Sequence, residues 1–382
     1  MKTKILLIPI AILLVVSLVA CAAPEPAPAP APTTTVTAPA ATTTITAPAA
    51  TTTVTAPAPA PTTAPVAPLP ELHLKIAQAM MTKDTLTHAL VVEFAETVEK
   101  ATDGKVTFDV FGPEIGDWTE LDVMVTMGAI DVAFNSHDPG YDPRWNATTL
   151  PFAAPGFKEA VATAGPGGIF DKQGKTWAKD IGQYYLSPFL NNLCMLGLNH
   201  DPIYTPEQAK GVKIRVWPAE TPKCYVAKMG FTPVTIPWAE APTAVGTGIV
   251  DGWVGAGSVY HYTLFRDVAR TQMKTFDAME QWDISMNLKV WEAFPTEYQE
   301  LFQTTAYAMS VKRLGQLEDE ENDYSQKLID YGWTVVDMPN DYPDEYAVWV
   351  ALGRECWVDL EPLIGKVWID QIREVMGMPV TR

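Results

Sequence analysis

From residue 72 onward the chain switches repeatedly between two hydrophobic periods. His73-Leu-Lys-Ile-Ala77 alternates residue by residue, the period of a half-buried strand. After Thr82 and Asp84, either of which can cap a helix, Leu86, Leu90, Phe94 and Val98 recur at helical spacing up to Gly104. Val106, Phe108 and Val110 return to the strand period. Thr119 to Met127 then predicts a helix closed by Gly128, and Ile130 to Phe134 the next strand. The same succession starts again at Val212. It predicts a strand, a helix over Thr221 to Met229 with Gly230 beyond it, a strand Pro233 to Ile236, a helix from near Ala239 and a strand Ile249 to Val254. Strands alternating with helices predict two parallel α/β units, whose ligands gather at the carboxyl ends of the strands. The last hundred residues turn to helix. No proline and one glycine, Gly315, interrupt residues 296–330, a helix long enough to span both units, and 345–376 holds further amphipathic segments. The acidic run Glu318 to Asp323 reads as a solvated helix face.

Before residue 72 neither period is present. Lys2 and Lys4, the apolar run Ile5 to Val16 and small residues before Cys21 have the layout of an export signal over 1–20. Leu18-Val-Ala-Cys21 resembles a bacterial lipobox, which makes Cys21 the expected site of lipidation and predicts anchoring to a membrane through acyl chains. Residues 21–70 are almost wholly Ala, Pro and Thr, with a nine-residue repeat starting at Thr33, Thr42 and Thr51. Such a segment cannot bury a core and reads as an extended tether, at about 3.1 Å per residue in polyproline II.

Removing those segments from 382 residues leaves about 310, enough for two domains. Forty-five acidic against 27 basic residues, a net charge of −18, exclude a nucleic-acid partner, which needs clustered Lys and Arg. That field also repels an anionic ligand, so only a cation within a Debye length of about 8 Å could hold one. Besides Cys21 there are three cysteines, Cys194, Cys224 and Cys356, enough for one disulfide of undetermined pairing. No CxxC or Cys/His cluster occurs, so neither a metal nor a cofactor is expected.

A local cation is present in Gly211-Val-Lys-Ile-Arg-Val-Trp-Pro218. Strand alternation turns Ile214 and Val216 to one face and Lys213, Arg215 and Trp217 to the other, which puts a guanidinium beside an indole. The guanidinium offers a two-donor fork to a carboxylate, while the indole covers carbon. Gly252-Trp-Val-Gly-Ala-Gly257 has its glycines in the reverse of the GxGxxG order and reads as a turn, not a nucleotide loop.

Several blocks, taken together, resemble the solute-binding proteins of tripartite ATP-independent periplasmic (TRAP) transporters. They are Phe94-Ala-Glu-Thr-Val-Glu-Lys-Ala-Thr-Asp-Gly-Lys-Val106, Phe111-Gly-Pro113, Gly128-Ala-Ile-Asp-Val-Ala133, Leu150-Pro-Phe152 and Gly211-Val-Lys-Ile-Arg215. Met229-Gly230, Pro233-Val234, Glu240, Ala244 and Thr247-Gly-Ile-Val-Asp-Gly252 complete the set. The resemblance implies an α/β fold of the periplasmic-binding-protein type, a two-lobed clam shell of two α/β domains joined by crossing strands and a long helix. The division expected is residues 72–194 with 276–308 for the first lobe and 195–275 with 309–382 for the second. It implies a receptor that captures an organic acid between the lobes through Arg215 and delivers it to small and large ion-coupled membrane subunits. Glu240 belongs to the motif, as a partner of Arg215 or a helix-start residue. The long tether departs from the usual short signal of such proteins. So does Pro242, where an aromatic residue is common.

The aromatic wall is therefore expected from Trp217, Trp253 and Trp282 with Trp118 and Tyr141, a lining suited to an aromatic or branched acid. Asn135 and His137 follow a strand end, and Gln281 precedes the strand-like Ile284 to Leu288, so all three are candidate polar contacts. The same fold could instead serve as the ligand-sensing part of a membrane sensor. An enzyme finds no support, since no Gly-x-Ser-x-Gly, Cys/His pair or carboxylate dyad stands at useful spacing.

Overall fold

The computed structural model describes residues 69–380, so Cys21, the export signal and all of the tether but its last two residues lie outside the described residues. The described strands form one sheet. Three of them, β1 (Leu72–Ala77), β2 (Val106–Phe111) and β3 (Val132–Asn135), make a parallel unit in the order β2-β1-β3. A second parallel unit, β7-β5-β6, consists of β5 (Lys213–Val216), β6 (Thr232–Thr235) and β7 (Gly252–Ala256).

An antiparallel ribbon links the two units. It is made of β4 (Gln183–Leu198) and β8 (Thr271–Asn287), the longest strands described. β3 pairs with residues 283–286 of β8, whereas β7 pairs with residues 195–198 of β4, so each parallel unit holds one end of the ribbon. β9 (Thr334–Asp337) pairs with β8 through residues 271–274. The ribbon's register breaks between the pairs Cys194–Ala278 and Leu196–Met273. In that break Phe276 adopts φ +45°, the Asp277 carbonyl accepts from the Phe152 amide at 2.8 Å, and Asp277 Oδ1 accepts from the Tyr225 hydroxyl at 3.0 Å.

Three apolar cores among the described residues lie on this frame, the smallest around Trp118, Leu121 and Ile130. In another, Phe94, Phe134, Trp253 and Trp282 pack with Phe302 and Met309 of the long helix Thr296–Tyr331, whose carboxyl end is closed by Gly332 in the left-handed conformation. In the other, Trp145, Leu150 and Trp177 pack with Tyr225, Trp349, Trp357 and Ile369. Residues expected for the first lobe thus share a core with the C-terminal helices expected for the second. Trp357 Nε1 donates to Pro151 O and Arg354 Nη2 to Phe152 O across that seam. A disulfide between Cys224 and Cys356, 132 residues apart, ties helix Glu220–Lys228 to helix Pro343–Asp359 and leaves Cys194 as a buried free thiol.

Four local expectations change. Thr85, not Thr82 or Asp84, caps the first helix, accepting from the His88 amide. The glycine-rich segment from Gly252 is a strand, because a side chain on Gly252 would meet Gly197 O at 2.2 Å and only glycine lets the two backbones approach. Of the strand-like Ile284 to Leu288, residues 284–287 end a strand starting at Thr271, and Leu288 begins a helix. The acidic run is not all solvated, since Glu320 and Glu321 turn inward to Arg313 and to Ser258.

Candidate ligand site

Where the ribbon passes between the parallel units there is a pocket. β5 carries Arg215 into it, and the residues after the strand ends supply much of the wall: Ser136 and His137 after β3, Trp217 after β5 and Trp238 after β6. Ligands of open parallel sheets gather at such ends. The middle of the ribbon adds Cys194, Met279, Glu280, Gln281 and Trp282, and the start of helix Trp118–Met127 adds Trp118.

Arg215 is 2% exposed. Its Nε donates to Ile236 O at 2.8 Å and its Nη1 to Val254 O at 3.4 Å, and among the described residues no carboxylate lies within ion-pair distance of it. Two backbone carbonyls orient the guanidinium without neutralising it. Burial pulls its pKa down to about 10, and Asp117, Tyr225 and Cys194 only partly oppose that pull. A cation so placed favours an anion delivered into the pocket.

Its aromatic neighbour differs from the one expected. The guanidinium lies over the Trp238 ring, 5.1 Å from the centroid, and Trp217 packs instead beside Gly255, where a Cβ would stand 2.7 Å from the indole. Glu240 is exposed at the start of helix Ala241–Gly246 and makes no ion pair with Arg215, so of its two expected roles only the position at a helix start stands.

Of the other expected contacts, Trp118, Trp217, His137, Gln281 and Trp282 line the pocket, and Asn135, Tyr141 and Trp253 do not. Trp253 is 0% exposed and stacked on Phe265 at 3.8 Å, a core residue. Tyr141 is 59% exposed on the surface. Asn135 turns to the protein, its Nδ2 donating to Trp118 O at 2.8 Å, which fixes the helix that carries Trp118.

His137 belongs to the wall, but both its nitrogens are occupied. Asp122 Oδ1 is 2.8 Å from Nδ1 and Asp283 Oδ2 is 2.8 Å from Nε2. Burial works against the imidazolium, yet the two carboxylates outweigh it and push the pKa up to about 10. His137 therefore ties the Asp122 helix to β8, a positioning role, and its charge is spent. Sequence reasoning missed Trp238 and Glu280. Trp238 follows the carboxyl end of β6 and could have been found by the strand-end rule. Glu280 lies within a long strand and gives no local signal.

The model of bacterial extracellular solute-binding protein family 7, DctP, matches residues 76–356. The chain belongs to that family. Two curated family 7 relatives are both C4-dicarboxylate-binding periplasmic proteins DctP. The one from Shewanella loihica is 21% identical over 309 residues, 76% of this chain and 86% of the relative. The one from Vibrio cholerae is 22% identical over 164 residues, 43% of this chain and 48% of that relative, so this match spans about half its length. Among solved structures, a TRAP periplasmic solute-binding protein from Sulfurospirillum deleyianum with bound succinate superposes at a TM-score of 0.70 with 19% identity, covering 80% of this chain and all of that one. The fold is thus the two-lobed α/β architecture of family 7. No helix among the described residues is long and apolar enough to cross a membrane.

Proposed function

We propose that this family 7 protein is an extracytoplasmic receptor that captures an organic acid through Arg215 and delivers it to the ion-coupled membrane subunits of a TRAP transporter. The observation that carries the reading is the buried guanidinium, which is held by carbonyls, faces a largely apolar pocket and has no carboxylate within ion-pair distance among the described residues. The relatives' name and the succinate in the solved structure support an acid as the ligand class.

In this reading the ribbon of β4 and β8 joins the lobes, with the division near residues 194 and 275, and closure on ligand completes contacts that the open state lacks. Lipidation of Cys21 holds the receptor at a membrane surface, and residues 22–70 let it range from the anchor to its membrane partner. The pocket's work is binding and release. A titratable group able to act on a bound acid is not needed, and the charge of His137 is neutralised on both sides.

Calorimetric titration with organic acids tests the assignment. Arg215→Lys keeps the charge and loses the two-donor fork, and should weaken the acid that binds the parent by at least tenfold; Arg215→Met should weaken it further. Unchanged affinity in both variants contradicts the reading. For the anchor, Cys21→Ala should release the protein from the membrane fraction.

A further inference from the structure

The charges and hydrogen-bonding groups of the pocket say more than that an acid binds. Its lining contains two cationic side chains, and His137 already faces Asp122 and Asp283, so Arg215 alone has charge to offer. At another point of the wall stands a carboxylate with no cation. Glu280 Oε2 accepts from Asn191 Nδ2 at 3.0 Å and from Asn192 Nδ2, while the Tyr260 hydroxyl reaches Oε1 at 3.4 Å and the Trp282 side chain also donates to it. All four donors are neutral. Burial pushes the Glu280 carboxyl up to about 7 in spite of them.

Gln281 adds an acceptor. Its Nε2 donates to Trp282 O at 2.6 Å, and its Oε1 is buried without a partner, although Gln281 is only 4% exposed and lines the pocket. An unpartnered buried acceptor is destabilising unless a donor reaches it. Thus the wall offers donors at Arg215 and acceptors at Glu280 and Gln281, and Trp118, Trp217, Met80 and Met279 supply apolar surface.

We propose that the ligand is a monocarboxylate whose second polar group is an N–H or O–H donor received by Glu280 and Gln281, and that Glu280 excludes dicarboxylates. This rests on the assignment of Arg215 as the carboxylate clamp. A second carboxylate would meet Glu280 in a low-dielectric site with no second free cation, the arrangement in which two like charges cannot both stay ionised. Nor could it donate to Gln281 Oε1. The dicarboxylate preference in the names of the relatives therefore does not extend to this pocket.

The test is a calorimetric and thermal-shift comparison at pH 8, where Glu280 is charged, using matched acids of different length and shape. Each set holds a parent monocarboxylate, the same acid with an added hydroxyl or amino group, and the same acid with an added carboxylate. Phenylacetate, 4-hydroxyphenylacetate, 4-aminophenylacetate and 4-carboxyphenylacetate form one set. Phenylpropionate, phenyllactate, phenylalanine and benzylmalonate form a second, and butyrate, 4-hydroxybutyrate, 4-aminobutyrate and glutarate a third. In the set that fits, the donor-bearing acid should bind at least tenfold more tightly than its parent and the dicarboxylate at least tenfold more weakly. Glu280→Gln should bring the dicarboxylate to within about threefold of the parent. A dicarboxylate that binds best, with its binding lost in Arg215→Met, overturns the proposal and leaves the clamp standing. A dicarboxylate gap that Glu280→Gln leaves unchanged also overturns it. If no carboxylate binds in any set, the clamp fails and the proposal with it.

Discussion

Two arginines are equally sealed from water in this protein and differently occupied. Arg313, on the long helix, is 0% exposed and Arg215, on β5, is 2% exposed. Arg313 is paired: its Nη2 lies 2.5 Å from Glu320 Oε2, and its Nε donates to Asn191 O at 3.0 Å. Arg215 has carbonyls at Nε and Nη1 and a pocket in place of a carboxylate. Burying an ion is tolerable when a counter-ion is buried with it, which is the Arg313 case. Leaving one buried without a counter-ion costs stability, and a fold keeps that arrangement where the counter-ion is to arrive from outside. Burial alone does not mark the site, and neither does residue type. The missing partner does.

The comparison breaks most visibly at its structural half. Arg313→Met leaves Glu320 buried and unpaired and should lower stability by about 3–5 kcal/mol in equilibrium denaturation. Adding Glu320→Leu should recover much of that loss. A single variant as stable as the parent would remove the contrast on which the site assignment stands. The functional half should behave oppositely. Arg215→Met deletes a charge that burial already disfavours, so ligand-free stability should change by less than about 1 kcal/mol or rise. A loss like that of Arg313 would mean that Arg215 is structural too.

Glu280 sharpens the contrast from the acidic side. Its folded pKa of about 7 lies above the unfolded value of 4.5, so the folded state holds the proton more tightly. The contribution is full below pH 4.5 and is lost as pH rises through 7, up to about 3 kcal/mol and less where pocket water reaches the group. Asp277, raised by burial to about 6, acts in the same direction, and His261, lowered by burial to about 3, acts in the opposite one. The difference between parent and Glu280→Gln isolates the one group. Thermal unfolding from pH 4 to pH 8 should show the parent losing stability relative to the variant as pH rises. Parallel curves would mean that the carboxyl is solvated.

The smallest effect concerns the aromatic neighbour. Trp238→Leu removes the ring over Arg215 and should weaken acid binding by about 1 kcal/mol, roughly fivefold, with Trp238→Phe intermediate. If Trp217→Leu has this effect and Trp238→Leu does not, the pairing seen in the structure is not the one that matters for binding.

Hydrophobic period made the two parallel units and the long helix legible, because each of their strands shows a pattern one element long and each helix turns one stripe inward. It failed for β4 and β8. The ribbon is covered on both faces, so Gln272, Thr275, Asp277, Asp283 and Ser285 are as buried as Met273 and Ile284, and no alternation survives. Those polar residues are inside because each finds a partner, and the partners come from elsewhere in the chain: Gln183 for Ser285, His137 for Asp283, Tyr225 for Asp277. The same non-local logic hid the Cys224–Cys356 pairing and the role of Glu280.

The place of Arg215 in the pocket wall was legible because a cation on an apolar strand is conspicuous in itself. Trp253 shows the limit of that approach. Strand geometry can place a tryptophan on a face, but only the packing around it decides whether its ring meets a pocket or, as here, Phe265 and His261. Asn135 and His137 likewise stood at the expected strand end, and were then taken up by Trp118 O and by two aspartates.

If Arg215 is an ion waiting for its counter-ion, thermal unfolding in the presence of a carboxylic acid and of its uncharged amide separates the two ligands by charge alone. For an acid that binds, at 100 times its Kd, the parent should gain about 2.7 kcal/mol. The matching amide should add almost nothing, and Arg215→Met should gain from neither. An Arg215→Met variant that the acid stabilises as much as it does the parent, or a parent stabilised equally by acid and amide, would contradict the account.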